Sequence, residues 1–339
     1  MAMTEAIKSL VDANSLSTDQ ATAAMEEIMS GGATPAQIGA YLAALRFHGE
    51  SPELVAASAS VMQAHAEAVP AADVIDICGT GGDMPDTFNV STAAGFVVAG
   101  AGVRVAKHGN RAASSKCGSA DILEALGAKT DLGGDAVAKV IDDCGFCFIF
   151  AQRFHPAMRH VGPARREMGV RTIFNMLGPL TNPATPRGQL AGVGAAQLAP
   201  IMAEAFRIRE MPRAMVVHSE DGLDEVSPAM PTRAWVVEEG SVSERVLNPS
   251  EFELPSHSLA EVAGGTPDEN ARVLRDVLEG RNSPVADFVL LNAAAALFVA
   301  GEAGEMAQGT ALARDAIASG RAAATLDRYV ALTKEFSNG

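Results

Sequence analysis

Near Pro70 the spacing of apolar and polar positions along this chain changes from a helical to a mixed period. Before it, Ile38, Tyr41, Leu42 and Leu45 recur as one face of a helix would, and Leu54, Val55, Ala57, Ser58 and Val61 follow the same period less cleanly. Three helix starts stand in succession: Ser17-Thr18-Asp19-Gln20, Thr34-Pro35-Ala36-Gln37 and Ser51-Pro52-Glu53-Leu54. The first two read as capping boxes, and the last two place proline at the first helical position, where its missing N–H costs nothing. Gly31-Gly32 and Gly49 separate them, so the pattern predicts a small helical domain over 1–70. Beyond it, short β-prone runs at 73–78, 103–106, 146–150, 189–193, 213–217 and 233–237 alternate with Ala-rich helical stretches. That alternation predicts an α/β fold, with a larger α/β domain over 71–339 built on a mainly parallel central sheet. Ligands of such sheets sit beyond the carboxyl ends of the strands.

Composition narrows the picture. The 339 residues are 48% hydrophobic, enough for a large core, which excludes disordered and collagen-like classes. Four cysteines cannot make a disulfide framework, and the first ten residues carry Glu5 and Lys8 but no continuous apolar run of the signal-peptide kind, so a cytoplasmic setting is expected. The longest apolar stretch, 288–300, contains Asn292 and is shorter than the roughly 20 residues a membrane helix needs, so no membrane span is expected. A net charge of −15 opposes non-specific nucleic-acid binding. Residues 104–188 nevertheless hold twelve Lys and Arg against seven Asp and Glu, a local +5, and could draw in an anionic small molecule.

The candidate chemistry falls in four stretches. Cys78-Gly79-Thr80-Gly81-Gly82-Asp83 directly follows a β-run, and three glycines in four positions can turn several amides toward a phosphate or simply reverse the chain. Asn89-Val90-Ser91-Thr92 then opens an Ala-rich helix, so an amide side chain, two hydroxyls and a helix N-terminus converge there, whether as ligand contacts or as ordinary caps. Lys107-His108-Gly109-Asn110-Arg111 closes the run 103–106 as a polar loop, and Ser119 opens the next helix. Downstream lie His155-Pro156-Ala157-Met158-Arg159-His160 and the run from Arg165 through Asn175 to Pro183; arginine can grip a carboxylate through two parallel hydrogen bonds, a role favoured for Arg165. Asp224-Glu225 follows the run 213–217; adjacent carboxylates need water or a cation, and hard oxygens of this kind hold Mg²⁺ when substrate phosphates complete its shell. Cys144-Gly145-Phe146-Cys147 and Gly192-Val193-Gly194 imitate redox and dinucleotide motifs, but the first enters an apolar run and the second lacks its third glycine.

In this order, GTGGD at 79–83, TFNVST at 87–92, KHGNRAASSKCGSADILEALG at 107–127, RREMGVRTIFNMLGPLTNP at 165–183 and HSEDGLDEVSP at 218–228 make the chain resemble the anthranilate phosphoribosyltransferase family over nearly its whole length. The resemblance implies the nucleoside phosphorylase/phosphoribosyltransferase-like arrangement: a helical domain, joined by helices around 163–183, that packs on its partner in a homodimer, with the active site between the two domains. It implies transfer of the 5-phosphoribosyl group from 5-phosphoribosyl 1-diphosphate (PRPP) to anthranilate, with release of pyrophosphate, in tryptophan biosynthesis. By the same resemblance Gly79, Gly81, Gly82, Asp83, Thr87, Asn89, Ser91, Thr92, Lys107 and Ser119 surround PRPP; Gly79, His108, Asn110 and Arg165 receive anthranilate; and Ser91, Asp224 and Glu225 hold Mg²⁺. Met84-Pro85 departs from the family, which commonly has glycine after the aspartate. The rival readings are a pyrimidine nucleoside phosphorylase and a non-catalytic relative that binds nucleic acid.

Overall fold

The computed structural model describes residues 2–81, 87–112 and 116–336. Its N-terminal part is four helices: α1 (Ala2–Ala13), α2 (Thr18–Met29), α3 (Pro35–His48) and α4 (Pro52–Ala64). The expected caps form. Ser17 Oγ accepts from the Gln20 amide and Gln20 Oε1 from the Ser17 amide, Thr34 and Gln37 repeat the pair, and Ser51 Oγ accepts from the Leu54 amide. Each such cap is worth about 1 kcal/mol. Helix α1 carries no cap signal in its sequence; a tertiary bond, Met3 N to Glu27 Oε2 at 2.9 Å, ties its start to α2.

Among the described residues, seven strands form one sheet in the order β3-β2-β1-β4-β5-β6-β7. They are β1 (Val74–Gly79), β2 (Arg104–Gly109), β3 (Phe146–Phe150), β4 (Gly188–Gly192), β5 (Arg213–Ser219), β6 (Thr232–Glu238) and β7 (Ser241–Leu247). The first five run parallel, β6 runs antiparallel to β5, and β7 antiparallel to β6. The β7 edge escapes the sequence pattern because it is polar and exposed along most of its length. It joins β6 through Glu239-Gly240, both at positive φ, a turn whose twist matches that of a hairpin. Strand β2 runs past the expected 103–106: Lys107 and His108 pair with Phe148 and Ile149 of β3, so they are strand residues and not a loop.

The sheet is covered on both faces, which is why its parallel strands read as apolar runs. One face packs under helix α5 (Val90–Gly100) and the C-terminal helices Pro284–Ala300 and Arg321–Phe336. The other face, through Ala191, Val193, Ala214, Val216, Trp235 and Val237, shares a core with α1–α4, the segment around 161–180 and helix Ala199–Ile208. The helical bundle is thus fastened to the sheet by a common apolar interior. The chain leaves β1 for β2 on one side and returns at β4 on the other, so β1 and β4 flank the switch point where an open parallel sheet has its crevice.

Candidate active site

Three strand ends interlock at that crevice. Gly79 ends β1, and a Cβ there would stand 2.2 Å from Asp224 Oδ2; Gly192 ends β4, and a Cβ there would stand 1.5 Å from the Asp224 carbonyl oxygen. Only glycine leaves room for the loop after β5. The Gly81 amide donates to Asp224 Oδ2 at 2.7 Å, the Thr80 amide to Gly192 O at 2.9 Å, and the Gly194 amide to Thr80 Oγ1 at 3.2 Å. Asp221 shapes the acidic loop from within, accepting from Ser227 Oγ at 2.5 Å and the Leu223 amide at 3.4 Å, while the His218 ring meets Val193 O at 2.7 Å. Asp224 is buried and Glu225 half-buried. Gly192-Val193-Gly194 is therefore part of the site, as a close-packing device and not as a nucleotide fingerprint.

Helix α5 points its first turn at the same place. Asn89 holds the N-cap position without capping: its Nδ2 donates to Cys117 O and its Oδ1 accepts from Asn270 Nδ2, both at 2.9 Å. Ser91 and Thr92 lie inside the helix, so neither is a cap. Ser91 Oγ accepts from Lys107 Nζ at 3.2 Å, and Thr92 Oγ1 donates to Ser119 Oγ at 3.1 Å. Lys107 is 1% exposed and also donates to Ile77 O at 2.6 Å. Thr87 is held by a backbone bridge to Ala263. Gly82, Asp83 and Met84-Pro85 lie outside the described residues.

Beside this crevice is a pocket of about 220 Å³ lined by Gly79, Thr80, His108, Asn110, Arg165 and Phe174, with Gly178-Pro179 as one wall. His108 is buried, its Nδ1 3.2 Å from Gly178 O, and burial together with neighbouring His155 pushes it down to about 3, so it is neutral. The contact with a carbonyl puts the proton on Nδ1. His155 is likewise driven to about 4 by burial, its ring 5.1 Å from that of His108. Arg165 makes no ion pair among the described residues; it lies over the Phe174 ring at 5.4 Å and burial lowers its affinity for the proton. Asn110 Oδ1 accepts from Arg111 N and Gln152 Nε2. Arg111, in the same polar stretch, turns away to Asp121 and Glu124. The cysteines are free, and burial pushes the thiols of Cys78 and Cys147 well up, which suits inert core groups.

The described residues place Gly79, Gly81 and Asp224 in one contact set, Lys107 with Ser91, Thr92 with Ser119, and His108, Asn110 and Arg165 around one pocket. The Gly178-Pro179 wall falls within the stretch 175–183 that the sequence singles out, whereas Asp76 and Gln189 do not stand among its candidate residues. Their signal was present as a polar residue inside an apolar strand run: Asp76 within Val74-Ile75-Asp76-Ile77 and Gln189 within β4.

Among the described residues no three His, Cys, Asp or Glu side chains gather as a metal cage. Two adjacent carboxylates and a hydroxyl fit Mg²⁺ better than a softer ion, since Mg²⁺ keeps waters and substrate phosphates around one or two protein carboxylates. The bond from the Gly81 amide seats one carboxylate oxygen of Asp224 against the glycine turn.

Fold and site define a class, and the comparisons agree with it. The helical bundle domain of the glycosyl transferase family matches residues 4–66 and its a/b domain matches residues 71–323, so the chain belongs to that family. Within it, the chain is similar to anthranilate phosphoribosyltransferases. The one from Thermomicrobium roseum is 50% identical over 333 residues, covering 96% of each chain. The crystal structure of the Thermus thermophilus enzyme matches with a TM-score of 0.91 at 43% identity, over 97% of this chain and 99% of that one. The Saccharomyces cerevisiae enzyme, solved in complex with PRPP and Mg, matches at 0.91 and 30% identity over 98% of both chains.

Proposed function

We propose that this chain transfers the 5-phosphoribosyl group of PRPP to the amine of anthranilate, giving N-(5-phosphoribosyl)anthranilate and pyrophosphate in tryptophan biosynthesis, with Mg²⁺ as its metal. The observation that carries the reading is the 2.7 Å bond from the Gly81 amide to Asp224 Oδ2: the glycine turn and the loop that bears the acidic pair meet at one crevice.

We assign PRPP to Gly79, Gly81, Thr87, Asn89, Ser91, Thr92, Lys107 and Ser119, and by the family resemblance also to Gly82 and Asp83. Ser91, Asp224 and Glu225 are assigned to the metal, and Gly79, His108, Asn110 and Arg165 to anthranilate. Rupture of the bond from the sugar's anomeric carbon to pyrophosphate leaves negative charge on the departing group, so electrostatic stabilisation is the main demand on the protein. Ser91, Asp224 and Glu225 would hold Mg²⁺, which would supply neutralisation of the charge on the departing pyrophosphate. Lys107 brings a buried positive charge to the β1–β2 floor, and Ser91 holds its ammonium in place. The attacking amine is neutral near pH 7, so no strong base is required. Arg165 offers a carboxylate a half-buried guanidinium with no competing ion pair among the described residues, which serves orientation.

The working form is proposed as a cytoplasmic homodimer joined through the helical domain. Phe47 at the end of α3 is 94% exposed and Val11 on α1 is 67% exposed, apolar surface that a partner would cover. Light scattering of the purified protein is expected to give twice the chain mass, and Phe47→Glu to lower it; a wild-type monomer removes this part of the reading. Among the described residues, no helix is long and apolar enough to cross a membrane.

The transfer itself is tested by incubating protein with anthranilate, PRPP and Mg²⁺ and omitting each in turn. Anthranilate fluorescence should be lost only in the complete mixture. Phosphorolysis of a pyrimidine nucleoside, or retention of single-stranded DNA on a filter, with no loss of fluorescence would replace the assignment by one of its rivals.

A further inference from the structure

Asp76 on β1 is a carboxylate buried under the site, with an exposure of 0%. Its carboxylate collects donors from three segments: the His108 backbone amide on β2 at 3.1 Å, Asn182 Nδ2 at 2.9 Å, and Gln189 Nε2 on β4 at 3.5 Å. Those donors belong to the groups that build the pocket wall. The His108 ring binds Gly178 O, Gln189 Nε2 binds Pro179 O at 2.5 Å, and Asn182 follows Pro179 by three residues. Asp76, His108 and Gly178-Pro179 thus close a hydrogen-bonded ring around one side of the pocket.

Within that ring Asn182 cannot turn over. Its Nδ2 also donates to Ala106 O at 2.8 Å and its Oδ1 accepts from the Ala184 amide at 2.9 Å. Its carbonyl accepts from Gln63 Nε2, which extends the connection to helix α4. Only an ionised carboxylate offers several acceptor sites with no donor of its own, so a position receiving three donors calls for aspartate over asparagine. Burial pushes Asp76 up to about 6, and Lys107, Asn182 and the His108 amide oppose that rise. A buried network of this kind stabilises one geometry when fully satisfied and loses it when one member is replaced.

We infer that Asp76 is a positioning residue for the acceptor pocket: it sets the His108 ring against the Gly178-Pro179 wall and thereby fixes the space in which the aromatic acid is held. The inference rests on the function proposed above, and names a residue that touches neither substrate in that reading.

The test is Asp76→Asn, read by fluorescence titration with anthranilate alone and by steady-state kinetics. The new carboxamide still accepts from His108 but turns an NH₂ toward Asn182 Nδ2 or loses the bond to it. The expected result is a rise of about tenfold in both Kd and KM for anthranilate, with kcat and the KM for PRPP within about threefold of wild type. A lowered melting temperature with anthranilate binding unchanged would make Asp76 a fold residue only and overturn the inference, as would an equal rise in both KM values. Gln189→Met, which at similar volume removes the amide that bonds Asp76, Pro179 O and Cys78 Sγ, is expected to reproduce the split at lower amplitude. It decides the matter if Asp76→Asn does not fold, since a folded Gln189→Met with wild-type anthranilate binding overturns the role. A wild-type chain that binds anthranilate without turnover would sink the transfer reading, while the titration still reads Asp76.

Discussion

A lysine with 1% of its surface exposed cannot be recognised as such from a sequence in which it looks like the start of a polar loop. Lys107 is buried because β2 continues through it between β1 and β3, and its ammonium is satisfied by Ile77 O and Ser91 Oγ. Arg165 differs: its residue type already suggested carboxylate recognition, and burial over Phe174 without an ion pair among the described residues supplies the setting. Arg165→Ala is expected to raise the anthranilate KM by roughly tenfold to a hundredfold, the worth of a charged hydrogen-bonded pair, with little change in the KM for PRPP. Steady-state kinetics checks this, and an unchanged anthranilate KM removes Arg165 from the pocket's working set. Asp224→Asn combined with Glu225→Gln keeps an acceptor for the Gly81 amide but removes both charges. Turnover is expected to fall at least about a hundredfold and not to recover with added Mg²⁺. Full activity in the double variant would cancel the metal assignment.

At the scale of elements, the site is where strand ends meet, and glycines decide how closely. The cluster after β1 was conspicuous in the sequence, whereas the pair after β4 looked like a failed nucleotide motif. Its actual reason, the passage of the Asp224 backbone across the end of β4, is a contact between residues 32 positions apart that no local pattern encodes. Gly192→Ala should therefore push the acidic loop off the glycine turn. Overpacking of this sort costs about 1–3 kcal/mol. The expected outcome is a lower melting temperature together with a raised KM for PRPP, measured by calorimetry and kinetics; wild-type values for both would refute the interlock. Helix starts were legible because capping is local: Ser17 with Gln20 and Thr34 with Gln37 form as written. Helix α5 was legible as a helix, but its apparent caps Ser91 and Thr92 proved to be first-turn residues turned toward Lys107 and Ser119, since Asn89 precedes them at the cap position and commits its own side chain to Cys117 and Asn270.

For the whole molecule, three buried groups set an acid response with opposing signs. His108 and His155 titrate at about 3 and about 4 when folded against an ordinary 6.5, so between those values the unfolded chain takes up protons the folded chain refuses; stability is intact above 6.5 and falls as pH drops. Asp76, raised to about 6 from 3.8, works the other way: the folded chain keeps a proton the unfolded chain releases, so its contribution is lost as pH rises through 6. Two histidines outweigh one aspartate, and the melting temperature should decline from about pH 6.5 toward about pH 4.5. His155→Leu should flatten that decline, and a wild-type melting temperature that holds or rises on acidification would contradict it. The amino-acid order by itself determined the helical start, the alternation that makes a parallel α/β sheet, the glycine turn and the acidic pair, because helix caps, hydrophobic period and backbone freedom act over a few neighbouring residues. Tertiary structure alone decided that Lys107 and Asp76 are buried, that β4's glycines receive Asp224, and that His108 faces Gly178-Pro179. Those facts depend on which distant segments the sheet order brings side by side, and a side chain's burial and partners are properties of that assembly.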